Sequence, residues 1–200
     1  MSKIFERLFG KNESTNSNSS TLLQEYVFAK VQMDTKLWQR ILQNPDLKDD
    51  SYLNFQSQLL KLKYDDTLDI HEEIALLQSY ISLWEKCTPQ MSAVKLEFKI
   101  DDNIAFQLPA LLLLSFFQKA FHFGYNVMAD RPIKAKIMCF EKQMVVELSY
   151  RANHHQEKGQ FEDSEWVYFQ EYLNQYYKKQ HELLLNSNSN TCRAVLRILA

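Results

Sequence analysis

The stretch Pro109 to Gly124, PALLLLSFFQKAFHFG, decides how this chain is read. Its apolar run, Leu108 to Phe117 interrupted by Ser115, is far short of the roughly 20 residues a spanning helix needs, so it predicts a core helix from Pro109 to about Tyr125. Towards its end that helix carries three polar side chains, Gln118, Lys119 and His122.

The rest of the chain can supply the core such a helix needs. It has 200 residues, 46% of them hydrophobic and 13% aromatic, enough for one ordinary domain with a helical extension. A net charge of -2 gives no basic footprint for nucleic acid. Cys87, Cys139 and Cys192 are odd in number and far apart, which predicts reduced packing residues rather than disulfides or a zinc site. With no signal peptide or spanning segment in view, the expected location is cytoplasmic and no membrane contact is expected. Only Gly10, Gly124 and Gly159 are glycines, where average usage of about 7% would supply roughly fourteen, so a glycine-rich phosphate loop has no material.

Outward from the opening stretch, the periodicities predict the other elements. Met1 to Gly10 is a short amphipathic piece, and Asn12 to Ser20, NESTNSNSS, predicts a disordered linker. Leu22, Tyr26, Val27, Val31, Leu37, Trp38 and Ile41 predict one helix from Thr21 to about Asn44, ended by Pro45; a second follows from about Ser51 to Tyr64. Asp69 caps a long helix, Ile70 to about Cys87, with Glu72 and Glu73 in its first turn. Strand-like alternation follows at Val94 to Ile100, Ile133 to Cys139 and Met144 to Tyr150, then a helix from Ser164 to Lys179 and a hairpin from His181 to Ile198. Helices mixed with an antiparallel sheet predict a two-layer α+β sandwich. His154 and His155 read as a surface pair, and Trp166, Tyr168, Phe169, Tyr172, Tyr176 and Tyr177 as a helix with a core side and an interface side.

The opening stretch resembles the P-x-L-L-L-Q-P-L-x-E-N-A-x-K-H-G helix of LytS/YehU-type sensor histidine kinases, with Pro109, Leu111 to Leu113, Ala120 and Gly124 in place. Leu68 to Cys87 is similar to that family's V-T-L-E-E-E-L-x-x-I-x-x-Y-I-x-L segment at Leu68, Glu72, Glu73, Leu77, Tyr80, Ile81 and Leu83. Gln32 to Leu42, QMDTKLWQRIL, resembles its phosphoacceptor segment Q-M-N-P-H-F-L-F-N-S-L at Gln32, Met33 and Leu42. The resemblance implies residues 1–20 as a flexible segment, 21–67 as a helical hairpin corresponding to the dimerisation and phosphoacceptor region, and 68–200 as a GHKL ATPase-like domain.

The chemical letters are the ones that differ. The family's acceptor histidine aligns with Lys36, its Glu with Gln118, its metal-holding Asn with Lys119 and its Lys-His pair with His122-Phe123. A protonated lysine has donors only and cannot ligate a metal. The D-x-G-x-G box has no counterpart in Ser149 to His155, and bulky Trp166 and Tyr168 stand where G-x-G-L-x-N should open the last helix. The expectation is therefore a pseudo-histidine-kinase with no catalytic residues, no cofactor and no metal. It would act by binding in a two-component pathway, as a homodimer or with an active histidine kinase or response regulator. Leu37, Trp38 and Ile41 are its candidate interface residues. The alternative is a divergent kinase that binds ATP and Mg²⁺ with Lys119 among replaced ligands.

Overall fold

The computed structural model of the chain describes residues 16–43, 50–88, 94–101, 104–124, 131–151, 164–188 and 190–199. Strict alternation builds its sheet. Along β4 (Ile133–Phe140), β5 (Gln143–Arg151) and β7 (Thr191–Leu199) every second side chain is buried: Ile133 to Cys139, Met144 to Tyr150 and Cys192 to Ile198. The intervening Lys134, Glu147, Arg193 and Arg197 turn to solvent, where Arg193 pairs with Glu147 at 3.0 Å and Arg197 with Glu182 at 2.8 Å. Edge strands β2 (Val94–Ile100) and β6 (His181–Ser187) complete the order β2-β4-β5-β7-β6. β2 runs parallel to β4 and the other neighbours are antiparallel, so the sheet is mixed where an antiparallel one was expected.

Helices cover one face. α4 (Ile70–Cys87), α5 (Leu112–Phe123) and α6 (Ser164–Tyr177) form the second layer, which makes the fold a two-layer α+β sandwich as the sequence predicts. α5 is wedged between its neighbours by aromatic contacts: Phe121 lies 5.4 Å from Tyr80 of α4, and Phe116 lies 6.0 Å from Trp166 and 5.9 Å from Phe169 of α6. The aromatics of α6 are thus spent inward. Trp166, Phe169 and Tyr172 are buried, and Tyr168, Tyr176 and Tyr177 half-buried.

The N-terminal helices depart from expectation. One helix was expected from Thr21 to Asn44; instead α1 (Asn16–Gln32) stops and α2 (Thr35–Gln43) restarts after Met33 and Asp34. The cause is Asp34, whose side chain accepts from the Lys36 and Leu37 amides at 3.0 Å each and so caps α2. α1 also begins five residues before Thr21, inside the stretch expected to be a linker, and α3 (Asp50–Lys61) stops three residues short of Tyr64. Gln32 stitches the ends together: its Nε2 donates to the Leu59 and Leu62 carbonyls at 2.6 and 3.0 Å, and the Gln32 carbonyl accepts from Gln56 Nε2 at 3.2 Å. Phe28, Val31, Leu37, Ile41, Tyr52, Phe55 and Leu59 join the same buried cluster as the sandwich.

The opening stretch is also helical over less of its length than predicted. Pro109 lies in a short strand, β3 (Gln107–Pro109), paired antiparallel with β1 (Thr67–Asp69), and α5 begins only at Leu112. Between them Leu111 has φ of 65°, a left-handed conformation that costs a non-glycine residue about 1 kcal/mol. Among the described residues no helix is long and apolar enough to cross a membrane. The segments Met1 to Gly10 and His154-His155 lie outside the described residues.

Candidate functional site

Three segments that resemble kinase motifs meet at one place. α1 and the α1–α2 junction lie across α5 and α6, and the walls of a cleft of about 200 Å³ between them include Asp34, Thr35, Lys36, Ser115, Gln118, Lys119 and His122. Lys36, which the resemblance aligns with an acceptor histidine, and Gln118 and Lys119, which it aligns with a Glu and an Asn, are separated by more than eighty residues in sequence and share this cleft.

What the polar groups do there is hold the chain to itself. Gln118 Nε2 donates to the Val31 carbonyl at 3.0 Å, close to the C-terminal end of α1. His122 Nε2 lies 3.0 Å from both carboxylate oxygens of Asp34; a carboxylate only accepts, so this nitrogen carries the proton. Lys36 Nζ donates to the His122 carbonyl at 3.1 Å. Asp34 takes a further 2.6 Å hydrogen bond from Tyr80, a residue of the second motif whose side chain is fully buried. Burial pushes the Asp34 carboxyl up, but the hydrogen bond and charge of His122, the Tyr80 hydroxyl and the Leu37 amide outweigh it and hold the group below its ordinary range. Burial, followed by the charge and hydrogen bond of Asp34, drives the Tyr80 phenol well above its ordinary value.

The acids at the start of the second motif act as helix caps. Asp69 and Glu72 form a reciprocal cap at the start of α4, with His71 N to Asp69 and Asp69 N to Glu72 both 2.9 Å. Glu73, next in line, is fully buried and its carboxylate accepts the Leu111 and Leu113 amides, the latter at 2.9 Å. It therefore caps α5 from a different helix and supports the left-handed Leu111. Its place in the first turn of α4 gave a reason for an acid there, the helix dipole, and none for this long-range role.

The candidate interface residues sit differently from their neighbours on the helix surface. Leu37 and Ile41 are buried in the chain's own core, and Trp38 is half-buried edge-on to Tyr52 with ring centroids 5.2 Å apart. Leu42, Leu53 and Leu60 are 70%, 65% and 61% exposed. Among the described residues no group of three His, Cys, Asp or Glu side chains is placed to hold a metal ion. Gln118 retains an acceptor oxygen in the cleft, whereas the Lys119 ammonium offers none, so this pair does not make a fit for Mg²⁺.

No family model matches the chain, and no curated protein does. Among solved structures it is similar to the catalytic domain of the histidine kinase ThkA, at 13% identity over 67% of this chain and 95% of that one, with a TM-score of 0.45. The Acinetobacter baumannii histidine kinase AdeS is similar at 9% identity over 98% of this chain and 89% of that one, with a TM-score of 0.46. The histidine kinase domain of the Erythrobacter litoralis blue-light activated histidine kinase is similar at 14% identity over 89% of this chain and 95% of that one, also at 0.46.

Proposed function

We propose that this chain is a non-catalytic, histidine-kinase-like binding protein of two-component signalling, a pseudokinase descended from a LytS-type ancestor. One observation carries the reading: the residues at the acceptor, base and metal positions meet in one cleft, and Lys36, Gln118 and His122 there hold the N-terminal helices against α5. Phosphotransfer needs an acceptor nitrogen, an orienting acid and a bridging metal. Lys36 supplies an ammonium for the first, Gln118 an amide for the second, and Lys119 a cation where the third would be held.

The expected result with Mg-ATP at millimolar concentration is no change in the thermal midpoint and no labelled protein after incubation with γ-labelled ATP. Binding at a hundred times the dissociation constant would stabilise the fold by roughly 2.7 kcal/mol, and a shift of that size would revive the divergent-kinase alternative.

Binding then becomes the activity, with a second copy, an active kinase or a response regulator as partner. Because Leu37 and Ile41 are buried inward, the self-contact we favour uses Leu42, Leu53 and Leu60 on the outer side of α2 and α3. Light scattering of the full chain should give twice the monomer mass, and Leu53→Asp with Leu60→Asp should return it to the monomer without lowering the thermal midpoint. A wild-type monomer at tens of micromolar would refute the self-contact and leave the other partners in place.

A further inference from the structure

We propose that β6 is a docking edge for a second copy of this chain, the β6 strands of both copies pairing antiparallel about a two-fold axis at Leu184. The inference goes beyond the reading above and needs only the sheet. It stands apart from the pseudokinase assignment and from the helix contact of Leu42, Leu53 and Leu60.

The hairpin decides which backbone groups are available. Leu199 N donates to the Gln180 carbonyl at 2.8 Å and Asn188 N to the Thr191 carbonyl at 3.0 Å, one bond at each end of the β6–β7 ladder. Hydrogen-bonded and non-hydrogen-bonded pairs alternate along an antiparallel ladder, so Glu182, Leu184 and Asn186 direct their backbone groups to β7. The N–H and C=O groups of His181, Leu183, Leu185 and Ser187 point the other way. β6 is the last strand of the sheet, and no further strand among the described residues takes them up.

The occupant follows from the pairing this edge can make with itself. With Leu184 on the axis, His181 stands opposite Ser187 and Leu183 opposite Leu185, which brings every outward-pointing residue of the strand into a hydrogen-bonded pair. The intervening pairs, on the open face of the sheet, are Glu182 with Asn186 and Leu184 with its own copy. No like charges meet, and Glu182 keeps Arg197 of its own chain at 2.8 Å. Leu184 is 46% exposed and Leu183 and Leu185 are half-buried, so the pairing covers all three leucines. The opposite edge is built differently. β2 carries exposed Lys95, Glu97 and Lys99 in alternation, and self-pairing about Glu97 would set Lys95 against Lys99 and Glu97 against itself. Charges of that kind keep edge strands apart, and the centre of β6 has only leucines.

A patch one strand wide belongs with contacts below about 1,200 Å², so it should fill at roughly hundreds of micromolar chain rather than tens. The test uses the full chain carrying Leu53→Asp and Leu60→Asp, which removes the helix contact, and follows amide exchange residue by residue at about 20 µM and about 1 mM. Exchange at Leu183 and Leu185 should slow about threefold or more at the higher concentration, with unchanged rates along β2, and light scattering should approach twice the monomer mass. Adding Leu184→Lys, which opposes two ammonium groups across the axis, should abolish both effects. Leu185→Pro should do the same, because it removes an outward N–H that the β6–β7 ladder does not use. Leu184 is exposed, so its variant keeps the test valid if the proline variant fails to fold. No slowing at 1 mM, equal slowing along β2, or slowing that survives Leu184→Lys would overturn the edge contact and leave the edge to an extended segment of another protein. A doubled mass without slowing at Leu183 and Leu185 would also overturn it, by placing the contact elsewhere on the chain.

Discussion

Glu73→Ala is expected to lower the unfolding free energy at pH 6 by about 3–5 kcal/mol, read from urea denaturation, which would place it among the most damaging single changes in the chain. The Glu73 carboxyl group is fully buried and its oxygens accept the amides of Leu111 and Leu113 at the start of α5, where no preceding turn can do so. Alanine strands those donors, opens a cavity between α4 and α5, and removes the support of a leucine at φ of 65°. Glu73→Gln keeps the volume and one acceptor oxygen but turns an NH₂ towards an N–H, so a loss of about 2 kcal/mol is expected.

The same residue gives the fold a pH dependence of defined sign. Burial pushes the Glu73 carboxyl up to about 7, against the Leu113, Leu111 and Leu112 amides that pull it down; the charge of Glu72 adds a smaller upward push. A folded value raised above the ordinary 4.5 means that its contribution is fully present below about 4.5 and is lost as pH rises through 7. At about 1.4 kcal/mol per pH unit the span is about 3 kcal/mol. Wild type should therefore lose stability between pH 5 and pH 8 relative to Glu73→Gln, which has nothing to titrate there. Equal pH dependence in the two proteins would show that the three amides keep Glu73 ionised throughout.

Glu73 also marks the boundary of what the sequence could say. Two-residue alternation located β2, β4, β5, β6 and β7, because a strand with one buried face writes its burial directly into its order of residues. β1 and its pairing with β3 escaped, since three residues are too few to show a period and the pairing depends on where Asp66 and Ala110 meet. The parallel pairing of β2 with β4 was equally hidden, because periodicity carries no strand direction. For the site, the motif resemblances named Lys36, Gln118 and Lys119, and the fold brings all three to one cleft. Asp34 and Tyr80 were visible only as letters on two helices, yet a 2.6 Å hydrogen bond between residues 46 apart joins them. The signal that could have found it was the aspartate itself: a short acid inside a helical pattern competes for nearby amides and favours a cap over a continuous helix.

Asp34→Ala is expected to cost about 3–4 kcal/mol and to loosen α1 from α5, because one carboxylate does three jobs. It caps α2 through Lys36 and Leu37, which alone is worth about 1 kcal/mol. It accepts from Tyr80, whose buried hydroxyl would be left without this acceptor, and it pairs with His122, whose side chain is 13% exposed. Asp34→Asn separates these roles, since an amide can still cap α2 and accept from Tyr80 but carries no charge for His122; about half the loss should return. The carboxyl is held below its ordinary 3.8, so its contribution is present above that value and lost as pH falls through the folded value. Wild type should accordingly lose stability below pH 4 more steeply than Asp34→Asn does. Hydrogen exchange gives the structural readout: amides from Val31 to Leu37 should exchange faster in Asp34→Ala while those of β5 and β7 stay protected. If the whole chain exchanged uniformly faster instead, the junction would be one more part of a single cooperative core, and the cleft beneath it would open only when everything does.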